Sequence, residues 1–140
     1  MRRQNYLSFF VGSQTQCDNF WLGNSDQNDK WLHEQIDDDP VIGSNTIGTL
    51  SFAATSRPNS RTTQVFINYG DNSRLDAMGF APFGVVVSGM EVAVNVHNPT
   101  PGDSGGVDQG QYEKKGNSWI EEKYPGINFI NRAVIHGNQV

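Results

Sequence analysis

Pro58-Asn59-Ser60-Arg61-Thr62-Thr63-Gln64-Val65-Phe66-Ile67-Asn68 is the stretch on which the reading of this chain turns. It opens as a turn: proline presets one backbone angle, and Asn and Ser side chains can bond their own backbone. Gln64-Val65-Phe66-Ile67 then reads as strand and ends at the turn cluster Asn68-Tyr69-Gly70-Asp71-Asn72. Upstream, Thr49-Leu50-Ser51-Phe52-Ala53 alternates polar and apolar residues, as a half-buried strand does. Downstream, Phe83-Gly84-Val85-Val86-Val87 reads as a third strand, stopped by Ser88-Gly89. Residues 91–96 are ambiguous: Val92, Val94 and Val96 alternate as in a strand, yet the segment is short and flanked like a helical turn. Further on, residues 99–110 read as loop, 119–124 as a short helix, and Arg132-Ala133-Val134-Ile135 as a last strand. Residues 1–40 are polar and irregular, and end in Asp37-Asp38-Asp39-Pro40. That ending is a turn, because proline drives its predecessor out of the helical region. The acidic triplet is a poor metal site, since successive side chains of an extended segment point to opposite faces. The class is mostly β with short helices.

The chain has 140 residues, enough for one domain with a single core. Its 10 Lys and Arg against 15 Asp and Glu give a net charge of −5, which argues against nucleic acid or an anionic membrane as the main partner. Apolar runs are short, as at Val85-Val86-Val87, so no bilayer-spanning helix is expected. The lone Cys17 excludes an internal disulfide framework and a cysteine metal cage. Met1-Arg2-Arg3 before Tyr6-Leu7-Ser8-Phe9-Phe10-Val11 faintly resembles a secretory leader, but no small-x-small cleavage site follows. A cytoplasmic location is expected, with the secretory pathway as the weaker alternative.

Gly102-Asp103-Ser104-Gly105-Gly106 spells the nucleophile signature of trypsin-like proteases. That chemistry needs a histidine to activate the serine and a buried carboxylate to orient the histidine. No Ala-Ala-His-Cys stretch is present, and His33 and His97 stand in ordinary polar surroundings. A glycine-rich surface loop explains the match.

The stretch at 58–68 resembles the cyclophilin-type peptidyl-prolyl isomerases, in which a polar turn leads into Gln-x-Phe-Phe/Ile. Asn72-Ser73-Arg74-Leu75-Asp76-Ala77-Met78-Gly79-Phe80-Ala81-Pro82-Phe83-Gly84-Val85-Val86 resembles the family's Leu-Asp … Phe-Gly-x-Val segment, and Gly89-Met90 follows it. Upstream, Asp38-Asp39-Pro40-Val41, Ser44-Asn45 and Gly48-Thr49-Leu50-Ser51-Phe52-Ala53 also fit. Residues 125–135 are similar to the family's terminal strand. The ordered likeness covers residues 36–135.

The resemblance implies an eight-stranded antiparallel β-barrel with capping helices, and a groove on its outer face that accepts an X-Pro dipeptide. It also implies that residues 91–96 are helical. Carried over by position, Phe66, Leu75 and Phe80 form the apolar pocket for the proline ring, with Phe80 where many relatives carry histidine. Gln64 bonds the substrate carbonyl, and Ala54, Thr55 and Ser56 supply the backbone strip along which the peptide lies. Arg74 stands where relatives often carry a tryptophan linked to cyclosporin, which argues against cyclosporin binding. The implied substrates are proline-containing peptides or unfolded proteins, and the implied chemistry uses no cofactor and no metal. Plain core packing is the competing explanation for Phe66, Leu75 and Phe80, since buried aromatics are mostly structural.

The likeness breaks at the N-terminus. The family sets its catalytic arginine in Phe-Phe-Arg, and here Phe9-Phe10 is followed by Val11. No residue is identified as that arginine by position. Residues 1–22 therefore read as a diverged N-terminal segment and 23–140 as a partial cyclophilin-like domain. The family's first two strands and first helix would precede Phe9, where only eight residues stand, so an incomplete barrel with open edges is expected. Two functions follow: an X-Pro isomerase, or a catalytically weak relative that holds proline-containing peptides.

Overall fold

The computed structural model describes residues 7–11, 17–22, 25–97, 107–130 and 134. Six strands form one sheet: β1 Leu7–Val11, β2 Cys17–Leu22, β3 Thr49–Phe52, β4 Val65–Asn68, β5 Pro82–Val85 and β6 Phe129–Ile130. Their order is β5-β3-β4-β2-β1-β6, and every pairing is antiparallel. Helices are α1 Ser25–Leu32, α2 Met90–Ala93 and α3 Gln109–Lys123, with a 3₁₀ helix at Ser73–Met78. Among the described residues no helix is long and apolar enough to cross a membrane.

The central strands lie where their β-branched and aromatic residues place them. Phe66, Ile67 and Asn68 of β4 are all buried, so this strand is covered on both faces and not alternately wetted. β3 pairs with β4 through Leu50↔Ile67, Ser51↔Phe66 and Phe52↔Val65. Its pairing with β5 slips between Leu50 and Ser51, an irregularity that bends the edge of the sheet.

Two expectations are corrected. Residues 1–40 are not irregular throughout: β1 contains Phe9-Phe10 and pairs with β2 in the register Phe9↔Phe20, and β2 pairs with β4 through Asn19↔Phe66. Residues 91–96 follow the helical alternative that the resemblance implies. Gly89 takes a left-handed backbone (φ 83°), α2 follows, and the turn continues with the Val96 N–H donating to the Ala93 carbonyl at 3.1 Å. The Tyr69 hydroxyl, 2.7 Å from the same carbonyl, ties this helix end to the end of β4. The helix expected at 119–124 begins ten residues earlier, capped by Asp108, whose carboxylate accepts from the Gln111 N–H at 3.0 Å. α3 breaks stride at Gly116, where φ 68° and ψ −158° suit only glycine. Of the last-strand stretch only Val134 is described, and it is not in a strand. Ser104 with its loop, His136, and the side chain of Cys17 lie outside the described residues.

Among the described residues, two apolar clusters of buried side chains form. Val107, Tyr112, Ile120 and Ile127 are buried together around α3, with Trp119, Tyr124 and Phe129 packed on them. Phe66 and Leu75 form the second, with Ala53 and Phe80 against them.

Candidate functional site

The second cluster and a neighbouring groove share Ala53. Phe66 and Leu75 are 4% and 8% exposed, and the Phe66 and Phe80 rings meet edge-on with centroids 5.9 Å apart. The groove encloses about 600 Å³ and is lined on one wall by Ala53, Ala54, Thr55, Arg57, Ser60, Thr62 and Gln64. The opposite side comes from Leu32, His33 and Gln35 around the end of α1 and from Gln109 and Glu113 of α3.

Backbone hydrogen bonds set the strip. The Ala53 N–H donates to the Gln64 carbonyl at 2.9 Å, which carries the β3–β4 ladder one residue past the strand. Thr55 N–H donates to the Ser60 hydroxyl at 2.9 Å, closing the turn between the strands, and Asn59 takes φ 54° at its tip. That turn is anchored from outside. Asp38 and Asn59 exchange two hydrogen bonds, both 2.8 Å, from backbone N–H to side-chain oxygen. The buried Arg61 guanidinium donates to the Asp39 carboxylate at 2.9 Å and to the Asp37 carbonyl, and lies 3.7 Å from the Asp38 carboxylate. The acidic triplet thus serves as a counter-ion shell for a buried arginine, the arrangement a buried charge needs. Among the described residues no group of three or more His, Cys, Asp or Glu could hold a metal.

A polar network supports the apolar pocket from below. Asn45 is fully buried and is bonded on every polar atom of its side chain. Its amide nitrogen donates to Asp76 Oδ1 at 2.7 Å and to the Phe80 carbonyl at 2.8 Å, and its backbone N–H reaches Asp76 Oδ1 at 2.9 Å. Its side-chain oxygen accepts from the Ser51 hydroxyl at 2.7 Å and from Asn68 Nδ2 at 3.2 Å. Asn72 Nδ2 donates to Asn68 Oδ1 at 2.8 Å, and the Asn72 N–H to the Asn45 carbonyl at 2.8 Å. These bonds fix both ends of the 3₁₀ helix that carries Leu75 and leads to Phe80. Gly79 ends that helix at φ 87°, a conformation open to glycine at no cost. The Ser44 hydroxyl, then the Asn45 amide and backbone N–H, hold the Asp76 carboxyl below the ordinary carboxylate value. The Ser73 backbone N–H and hydroxyl do the same for Asp71.

Of the residues expected at the site, Gln64, Ala54 and Thr55 line the groove, while Phe66, Leu75 and Phe80 pack together beside it. Ser56 and Arg74 are exposed and do not line it; Arg74 Nη1 instead reaches Asn72 Oδ1 at 3.3 Å. Val11, at the place of the family's arginine, pairs with Asp18 in the β1–β2 ladder. Sequence reasoning missed Arg57, which read only as a turn residue, and Glu113, on a helix the sequence did not announce. It also missed the role of Asn45, which the likeness at Ser44-Asn45 marked without giving it a part in the site.

Comparison with known proteins supplies the family. Residues 10–117 match the family model described as cyclophilin type peptidyl-prolyl cis-trans isomerase/CLD. The chain belongs to that family. It is 48% identical over 58 residues to a peptidyl-prolyl cis-trans isomerase of Acinetobacter baylyi, a match covering 39% of this chain and 31% of that protein. To peptidyl-prolyl cis-trans isomerase A of Dickeya dadantii it is 53% identical over 53 residues, 35% of this chain and 28% of the relative. To isomerase B of Escherichia coli it is 40% identical over 68 residues, 44% of this chain and 42% of the relative. The chain therefore spans less than half the length of these curated relatives.

Proposed function

We propose that this chain is a peptidyl-prolyl cis-trans isomerase acting on X-Pro bonds during protein folding. Membership of the family carries the reading, and the strip 53–55 with Gln64 beside the Phe66–Leu75–Phe80 cluster supports it. The peptide bond resists rotation by about 18–20 kcal/mol because its C–N bond is partly double. For X-Pro the cis and trans forms are close in energy, so the barrier alone makes the exchange slow. A catalyst has only to bind the twisted amide better than either planar form.

Phe66, Leu75 and Phe80 clamp the proline ring. Gln64 bonds the carbonyl of the substrate, and Ala54 and Thr55 of the strip align its backbone. The proline ring is then held while the acyl side turns. Proline-containing peptides and unfolded proteins are the substrates, cyclosporin is a poor ligand because Arg74 replaces a tryptophan, and the compartment is cytoplasmic. The sheet is part of a cyclophilin-like antiparallel β-barrel with short capping helices, with residues 1–22 as its diverged segment and 23–140 as the partial cyclophilin-like domain.

An isomerase assay on an X-Pro peptide tests the reading. Acceleration over the thermal rate that disappears in Phe66→Ala is expected. Peptide binding without acceleration would favour the alternative, a module that grips proline-containing peptides and does not turn them over.

A further inference from the structure

We infer that the outer edge of β5 docks a second copy of this chain, strand to strand, about a twofold axis at Val85. β5 stands at one end of the sheet, and among the described residues it pairs only with β3. Its inner edge is fixed. Thr49↔Val85 and Leu50↔Gly84 are partners, and the Val86 N–H donates to the Gly48 carbonyl at 2.8 Å. In an antiparallel ladder the backbone groups of successive residues face opposite edges. With Val86 turned to β3, the N–H and carbonyl of Val85 and Val87 face outward.

The side chains along that edge are apolar and wet. Val85 and Val87 are 60% and 92% exposed, flanked by Phe83 at 54% and by Ile47, next to Gly48, at 63%. Phe83 is steadied by Phe52, with ring centroids 4.8 Å apart. Proteins blunt an open edge with charges, prolines or bulges. Here Pro82 and the register slip guard only the start of β5. Gly84-Val85-Val86-Val87-Ser88-Gly89-Met90 carries no charge, although the chain as a whole carries −5.

The partner must offer an extended backbone with a free edge of its own and side chains that suit neutral, apolar neighbours. β5 of a second copy meets both conditions. In antiparallel self-pairing Val85 lies opposite its own counterpart and Phe83 opposite Val87. No like charges meet, and an aromatic side chain facing a β-branched one is a favourable cross-strand pair. A proline-containing peptide suits the edge less well, because proline has no N–H to give the ladder. The contact is isologous and joins two sheets into one. Neither β5 nor Ile47 lines the groove at Gln64, so the groove stays open in the pair.

Sedimentation equilibrium of the full chain over a dilution series is the test, with Val85→Lys and Val85→Glu beside wild type. Wild type is expected to approach twice the mass of one chain as concentration rises. Each variant is expected to stay at single-chain mass, because two like charges meet on the axis, with circular dichroism checking that it is folded. An equimolar mixture of the two variants is expected to recover the doubled mass, which unfolded variants could not do. Wild type at single-chain mass throughout, a doubled mass that survives in both variants, or a mixture that stays single overturns the pairing. So does a single-mass chain whose Val85 and Val87 amide resonances shift when an Ala-Pro peptide is added, since the edge then belongs to a peptide.

Discussion

The two apolar clusters are held by different forces. Around α3, Val107, Tyr112, Ile120 and Ile127 pack with Trp119 and Tyr124, whose rings cross at 81° with centroids 5.9 Å apart. That cluster gains from removing apolar area from water, a force without direction. The Phe66–Leu75 cluster has two buried apolar side chains among the described residues and rests on Asn45, Ser51, Asn68 and Asn72, all buried and mutually bonded. Hydrogen bonds have direction, and a satisfied buried network fixes one arrangement. The candidate pocket is therefore positioned by polar groups, whereas the helix that walls the groove is positioned by packing.

The largest effect should come from emptying the pocket. Phe66→Ala is expected to destabilise the fold by about 3–5 kcal/mol and to remove peptide binding, read by urea unfolding and by titration with an X-Pro peptide. Retained peptide affinity in a folded Phe66→Ala chain would show that the pocket lies elsewhere. In the other cluster, Ile120→Ala should cost about 2–5 kcal/mol, and the difference from wild type should stay constant on acidification, since the side chains clustered with it, Val107, Tyr112 and Ile127, carry no carboxyl group. Asn45→Ala should cost about 1–3 kcal/mol by stranding the Ser51 hydroxyl and loosening the turn to Phe80. Unlike Ile120→Ala, it should weaken peptide affinity beyond the share explained by unfolded chain.

The smallest effect is the most diagnostic. The Asp76 carboxyl titrates below its ordinary value near 3.8 in the folded chain, because Ser44 and then Asn45 donate to it. A depressed folded value contributes stability that is present above the unfolded value and lost as pH falls through the folded one. Stability should therefore decline below about pH 4, more shallowly in Asp76→Asn than in wild type, with Asp71 supplying part of the remaining slope. Urea midpoints at a series of pH values give the comparison. Equal slopes in the two proteins would mean that the Asp76 bonds do not hold the pocket.

The sheet centre was legible because Thr49–Phe52 and Val65–Asn68 carry β-branched and aromatic residues between clear turn signals. β1 and β2 were not, because β2 pairs with β4, from 45 residues (Phe20↔Val65) to 51 residues (Cys17↔Asn68) further on, β1 pairs with β2 and with β6 near the other end of the chain, and the flanking Gln, Asn and Asp read as loop. α3 was hidden by Gly110, Gly116, Asn117 and Ser118, weak helix formers that tertiary packing overrides. Gln64, Phe66 and Leu75 could be named from their spacing within a family pattern. Arg57 and Glu113 could not, since no local signal tells which residues of a turn and a helix will face each other across a groove.

The most direct measurement is two-dimensional exchange NMR on an Ala-Pro peptide mixed with the full chain. Uncatalysed exchange takes tens to hundreds of seconds, so without the protein no cis–trans cross-peaks appear at sub-second mixing times. With it, cross-peaks are predicted to grow within that time and to vanish on adding excess of a second X-Pro peptide. Peptide resonances that neither broaden nor exchange in the presence of folded protein would contradict the claim that this groove turns X-Pro bonds.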